Sequence, residues 1–205
     1  MTASSPSPAD RDRAALADLM DGLGPDAPTC CAGWTTAHLA AHLVVRERRL
    51  DAGPGYGLEE LGLAAPLAAW SHRQEDRLRA STPYAEVVAR LRSGPPRWSP
   101  LAWPAVARVV NTAEFAIHHE DVRRAQPDWA PRVLPRSTQD ALWGPAALYA
   151  RRAAGRLDRG LVLARSDVPG VYRRVGSGAV RVQGEPMELL LWGAGRKDVA
   201  RVTVS

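Results

Sequence analysis

The sequence predicts an α+β fold: a helical bundle over residues 1–155 followed by a small α+β domain over residues 156–205. Three observations carry that reading. Apolar residues recur at helical spacing up to about Gly155. Beyond it the segments shorten into Val- and Leu-rich runs separated by Gly, Pro and Asp. Finally, 205 residues at 45% hydrophobic composition suffice for a core in one large domain or two small ones.

A first helix is expected over Asp10 to Met20, with Ala15, Leu16, Leu19 and Met20 on its apolar positions and Asp10 as N-cap. Gly22, Gly24 and Pro25 stop it. A second helix runs from Trp34 to about Asp51, capped by Thr35 or Thr36, with Leu39, His42, Leu43 and Val45 or Arg46 at helical spacing. The Gly53 to Gly57 cluster ends it. Helical patterns resume over Leu58 to Ala80, interrupted at Pro66, and over Tyr84 to Leu91. Gly94 to Pro104 is too proline-rich to stay helical. Pro104 then opens a fifth helix that runs to about Ala125 and is closed by Pro127 and Pro131. Ser137 is the expected cap of the next, which reaches about Ala154 with a kink at Gly144-Pro145. Leu161 to Arg165, Val171 to Val175 and Ala179 to Val182 read as strands. Pro186 starts a short helix with Met187 to Trp192 as its body and Gly193 and Gly195 as its stop. Val199 to Val204 is a final strand. There is no internal repeat.

Composition narrows the function classes. No apolar run reaches the roughly 18 residues needed to cross a bilayer, and Met1 to Asp10 lacks the charged and apolar regions of a signal peptide, so the cytoplasm is the expected compartment. A formal charge of +5 raises the question of nucleic acid. The positives are scattered among acids, as in Arg46-Glu47-Arg48 and Glu120-Asp121-Val122-Arg123, and all 27 basic residues but Lys197 are arginine. That is a solvated surface rather than a nucleic-acid footprint or a membrane patch. The adjacent Cys30 and Cys31 cannot form a disulfide framework; they could be a soft metal pair or redox thiols, but a small buried apolar role is the expected one, with the thiols reduced.

Chemistry concentrates on the fifth helix. Glu114, His118 and Asp121 stand at i, i+4 and i+7 and so project from one face, flanked by Val110 and Ile117, which suggests that this face looks inward. His42 is turned inward on the second helix by Leu39, Leu43 and Val45. Two ligands from one helix and a third from a facing helix would build a His2Glu metal site, suited to a borderline ion such as Zn2+ with a fourth position open. The other reading of the same residues is that both histidines are satisfied core groups and Glu114 pairs with an arginine such as Arg108. Asp121 either accepts a hydrogen bond from a ligand imidazole or bonds Arg124 at the surface. His38 is read as a polar neighbour near its helix start, His119 as pairing away from the site, and His72 as part of a solvated face. Trp34, Trp70 and Trp143 are core packing by default; Trp98 and Trp103, two large aromatics in the loop before the ligand helix, could roof a cavity, though that is the lesser reading.

The stretch Gly33-Trp34-Thr35-Thr36-Ala37-His38-Leu39-Ala40-Ala41-His42-Leu43 resembles the G-W-T-x-x-x-L-x-x-H-L signature of the mycothiol-dependent maleylpyruvate isomerase family, part of the DinB-like bundle superfamily. Asn111 to Arg124 is similar to that family's E-x-x-x-H-x-x-D helix, particularly a branch with H-H-E-D-V-R-R. Gly184 to Arg196 resembles the end of its sterol-carrier-like C-terminal domain. The resemblance implies a DinB-like helical bundle with a small sterol-carrier-like α+β domain, and it makes His42, Glu114 and His118 the metal ligands. It also implies that Arg196 reaches the active site and that mycothiol is the cosubstrate. A metal would lower the pKa of a thiol at the open position, and the thiolate could add to an activated alkene and leave again or remain attached. Arg196, with Arg123 or Arg124, could bind a carboxylate bidentately. The expected function is thus thiol-dependent isomerisation of, or transfer to, a small electrophile. Two rivals remain: a metal-dependent hydrolase with Asp121 or Glu120 as base, and a non-catalytic protein that binds metal or an apolar ligand.

Overall fold

The computed structural model describes residues 6–49, 51, 65–155, 160–176, 178 and 180–205. The expected Gly53 to Gly57 loop, the first turns of the Leu58 to Ala80 helix, Ala179 at a strand start and the Arg108 side chain lie outside the described residues. The chain divides into two compact units, Met1–Asn111 with His118–Pro127, and Thr112–Ile117 with Asp128–Ser205.

The first unit is helical. Helix α1 (Pro8–Leu23) is capped by Ser7 rather than by Asp10. Asp10 occupies the third helical position and closes a capping box: its backbone N–H donates to Ser7 Oγ at 3.2 Å, and its Oδ2 accepts from the Ser7 N–H at 3.2 Å. The helix ends where Gly24 takes a positive φ of 81°. Helix α2 (Thr36–Arg48) has Thr35 as its N-cap. Helices α3 (Ala65–Ser81) and α4 (Tyr84–Arg92) pack on α2, and α1 packs on α4. Leu16 and Met20 of α1, Leu39 and Leu43 of α2, and Val88 and Leu91 of α4 are fully buried at this centre. The Arg13–Glu47 ion pair is buried with them at 2.7 Å. The proline-rich connection contains one 3-10 turn, Pro100–Ala102, and leads into α5 (Pro104–Arg123).

The second unit is α+β. Helix α6 (Arg136–Gly155) begins one residue ahead of the expected Ser137 cap, because the Pro135 carbonyl already accepts from the N–H groups of Thr138 and Gln139 at 2.9 and 3.1 Å. It continues through Pro145. Strands β1 (Leu161–Arg165), β2 (Tyr172–Val175), β3 (Val180–Gly184) and β4 (Thr203–Val204) form a mixed sheet in the order β2-β1-β3-β4. β1 is parallel to β3, with Leu163 opposite Val182, and the outer pairs are antiparallel. The last strand is far shorter than the expected Val199 to Val204. Helix α7 (Pro186–Gly193) follows β3. Leu161, Leu163 and Val182 of the sheet, Leu189, Leu190 and Leu191 of α7, and Leu142, Ala146 and Ala150 of α6 form one core. The change from helices to strands falls between α6 and β1, and α6 packs with the strands as part of this unit. Among the described residues no helix is long and apolar enough to cross a membrane.

Candidate metal centre

Helical periodicity puts Glu114 one turn before His118 on α5, and α2 carries His42 to the same place. Their ligand atoms, one from each residue, all lie within 4.8 Å of one another. The two imidazoles meet edge to face with centroids 5.6 Å apart, and Trp34 tilts against His42 at 5.1 Å. Trp34 is therefore packing for a site residue, beyond the default core role read from its spacing.

Each imidazole is held by its own carboxylate. Glu75 of α3 accepts from His42 Nδ1 at 2.9 Å, and Asp121 of α5 accepts from His118 Nδ1 at 2.9 Å. Both carboxylates are almost completely shielded from water, with side-chain exposures of 7% and 0%. A carboxylate on Nδ1 fixes the proton there and makes Nε2 the basic nitrogen, which is how metal-ligating histidines are usually oriented. These five groups comprise three carboxylates and two imidazoles, an excess of negative charge that a dication offsets. The donor set and its supporting carboxylates thus fit a divalent metal on Glu114 and the two imidazoles.

Glu75 was not singled out in the sequence, where it sits among Gln74, Asp76 and Arg77 and reads as solvated. It also accepts from His72 Nδ1 at 3.1 Å, so His72 does more than decorate a solvated face. In the structure Ala68, Ser71 and Glu75 follow each other at helical spacing and are all buried, a face that the charged neighbours of Glu75 hide in the sequence. Cys31 departs from its expected apolar role. Its Sγ donates to Asp121 Oδ2 at 3.1 Å, and Cys31, His118 and Asp121 form a second cluster of potential ligand atoms within 4.8 Å.

Of the two readings of Asp121, the bond to an imidazole is the one present. Arg124 instead meets Glu120 at 2.5 Å, and Arg123 meets the same carboxylate at 2.9 Å. The Glu120 and Arg124 side chains are each 1% exposed and that of Arg123 is 24% exposed, so the three tie down the end of α5 from within. His119 pairs with Asp12 of α1 at 2.9 Å, away from the candidate ligands. His38 is part of the α2 cap: its Nδ1 accepts from the Thr35 N–H at 3.2 Å. Burial, followed by the charge of Arg79, lowers its pKa, which keeps Nδ1 available as an acceptor. Arg196 donates to the Ala194 carbonyl at 2.8 Å just past α7. Val110 is exposed, contrary to the inward face expected for it, and Trp98 and Trp103 are both 56% exposed.

No protein-family model and no curated protein matches the chain. Among solved structures, it superposes on the crystal structure of the mycothiol-dependent maleylpyruvate isomerase with a TM-score of 0.55. The two share a fold. The alignment covers 96% of this chain and 88% of the isomerase at 20% sequence identity. A helical assembly followed by a small mixed sheet is thus an arrangement that the isomerase has too.

Proposed function

We propose that the chain is a divalent-metal enzyme that uses a low-molecular-weight thiol, mycothiol, to isomerise or to be transferred to a small electrophilic substrate. The observation that carries the reading is the pair of carboxylate-backed imidazoles beside Glu114: His42 with Glu75, and His118 with Asp121. A core-packing histidine needs one partner, but here each of two neighbouring rings has its Nδ1 on a buried carboxylate and both lie beside a third donor, the Glu114 carboxylate. The fold shared with a mycothiol-dependent isomerase supports the thiol as cosubstrate. A metal held by His42, Glu114 and His118 would keep a position open and supply the positive charge that lowers the pKa of a thiol bound there.

The protein's own groups do the rest. Glu75 and Asp121 hold the Nδ1 protons and prevent the rings from turning. Glu114 brings the negative charge that makes the donor set selective for a cation. Of the two arginines offered for a substrate carboxylate, both bond Glu120, and Arg123 is the one whose side chain is partly exposed. Arg196 is assigned to the substrate by its G-R context in the family-like C-terminal segment. The decisive experiment is metal analysis of the purified protein, then thermal shift and turnover with mycothiol. One equivalent of Zn2+ or a similar ion, with a thiol-dependent rise in melting temperature only in the metal-loaded protein, is the expected result. Hydrolysis that proceeds without thiol would replace this reading with that of a metal hydrolase. A folded protein that takes up no divalent metal would overturn both.

A further inference from the structure

We infer that Cys31 is a positioning residue for the metal centre: its thiol donates to Asp121 and thereby fixes the carboxylate that orients His118. The inference rests on the proposed metal reading and extends it beyond the ligands. Asp121 is gripped by two adjacent residues of the loop before α2. The Cys30 N–H donates to the Asp121 carbonyl at 2.8 Å, and Cys31 Sγ reaches Asp121 Oδ2 at 3.1 Å. The loop is itself built to present that thiol. Thr29 Oγ1 accepts from the Cys31 N–H at 3.1 Å and donates to the Trp34 carbonyl at 2.9 Å, while Pro28 and Thr35 form an isolated β-bridge that closes its neck.

The same oxygen, Oδ2, accepts from Cys31 and, at 2.9 Å, from His118 Nδ1. His118 Nδ1 holds that oxygen from within α5. A second donor, from a different element, fixes the plane of the carboxylate. The Asp121 side chain is fully buried, so a donor lost there is costly to the carboxylate. This gives the adjacent cysteines a division of labour: the backbone of Cys30 sets the height of the loop on α5, and the side chain of Cys31 completes the support of His118.

The test compares Cys31→Ala, which deletes the donor, with Cys31→Ser, which keeps one. Co2+ binding is followed by its visible spectrum, and the His118 ring signals are followed by NMR in chelator-treated protein. Cys31→Ala is expected to weaken Co2+ binding by about three- to tenfold, to alter the cobalt spectrum and to hasten exchange of the His118 Nδ1 proton. Cys31→Ser is expected to restore binding to within about twofold of the parent. Parental affinity and parental His118 signals in Cys31→Ala would overturn the inference, as would equal losses in both variants. A sulfur-to-cobalt charge-transfer band in the parent that vanishes in Cys31→Ser would also overturn it, by making Cys31 a ligand. If the parent takes up no Co2+, the metal reading fails separately. The NMR arm then still decides: His118 signals changed in Cys31→Ala and restored in Cys31→Ser uphold the role of Cys31, and unchanged signals refute it.

Discussion

Glu114 is the residue at which the metal reading and the ion-pair reading part most sharply. Glu114→Gln keeps the size and helix propensity of the side chain but removes its charge, so metal affinity should fall by roughly an order of magnitude or more while the chelated fold survives. A chelated mutant that melts far below the chelated parent and still binds metal equally well would make Glu114 a structural partner instead. Glu75 should behave differently from a ligand and differently from a surface acid. Glu75→Gln removes the anion behind His42, and a loss of about 10- to 100-fold in metal affinity is expected from titration with a competing chelator. Parental affinity would separate Glu75 from the site. His38 offers a check by pH. Its folded pKa is lowered by burial and by Arg79, so the unfolded chain binds its proton more readily. The stability it contributes is complete above the ordinary histidine value of about 6.5 and is lost as pH falls through the lowered folded value. NMR titration should place the His38 midpoint below that of a free imidazole, and a midpoint above it would refute the cap geometry.

At the scale of elements, legibility followed the range of the interaction. Helices α1 to α5 were visible from periodicity because each buries one face, and the ends missed by a few residues were decided by bonds that propensity does not rank. Ser7 and Asp10 illustrate this, since both are good caps and only the capping box, formed by the pair together, selects Ser7. His42, Glu114 and His118 were legible because helical spacing puts side chains on a common face. Glu75 and Cys31 were not, because a carboxylate in a charged helix and a thiol in a loop acquire their meaning from residues far away in sequence. The final strand was overread for a related reason: Val199 and Val202 are apolar, but the Val199 and Ala200 N–H groups bond back to Arg196, and the pairing with β3 is made by Thr203, Val204 and Ser205. The packing of α7 on α6 yields a prediction of its own. A Cβ at Gly193 would lie 2.9 Å from the Ala150 backbone nitrogen and 3.0 Å from the Tyr149 carbonyl carbon, atoms that cannot turn aside. Gly193→Ala should therefore cost about 1 to 3 kcal/mol, measurable by denaturant unfolding, whereas Gly22→Ala, which meets nothing within 4 Å, should not.

Over the whole molecule, the response to acid combines general and local charge. The chain already carries a formal +5 at neutral pH, so each carboxylate protonated in acid adds to self-repulsion. The sharpest local contribution comes from the second unit, where Arg165 at the end of β1 is buried and bonded to Asp167 at 2.6 Å and to Asp140 of α6 at 2.6 Å. Hydrogen bonds from Arg165 are the leading cause that holds both carboxyls below the usual carboxylate range. Their folded pKa values therefore lie below the unfolded ones, and in acid the unfolded chain binds more protons. The stability they give is present above about pH 3.9, the ordinary aspartate value, and is lost as pH falls through the depressed folded values. Protonation then leaves a buried guanidinium without its counter-charges, between the sheet and α6 that build this unit's core. Asp167→Asn should lower stability at neutral pH and flatten its fall below pH 3.9, because the mutant has already lost the carboxylate that the parent loses on acidification. Urea unfolding at a series of pH values tests this in chelated protein, so that release of metal does not contribute to the slope. Parallel curves for parent and mutant across the acid range would show that Arg165 and Asp167 are not coupled as the structure has them.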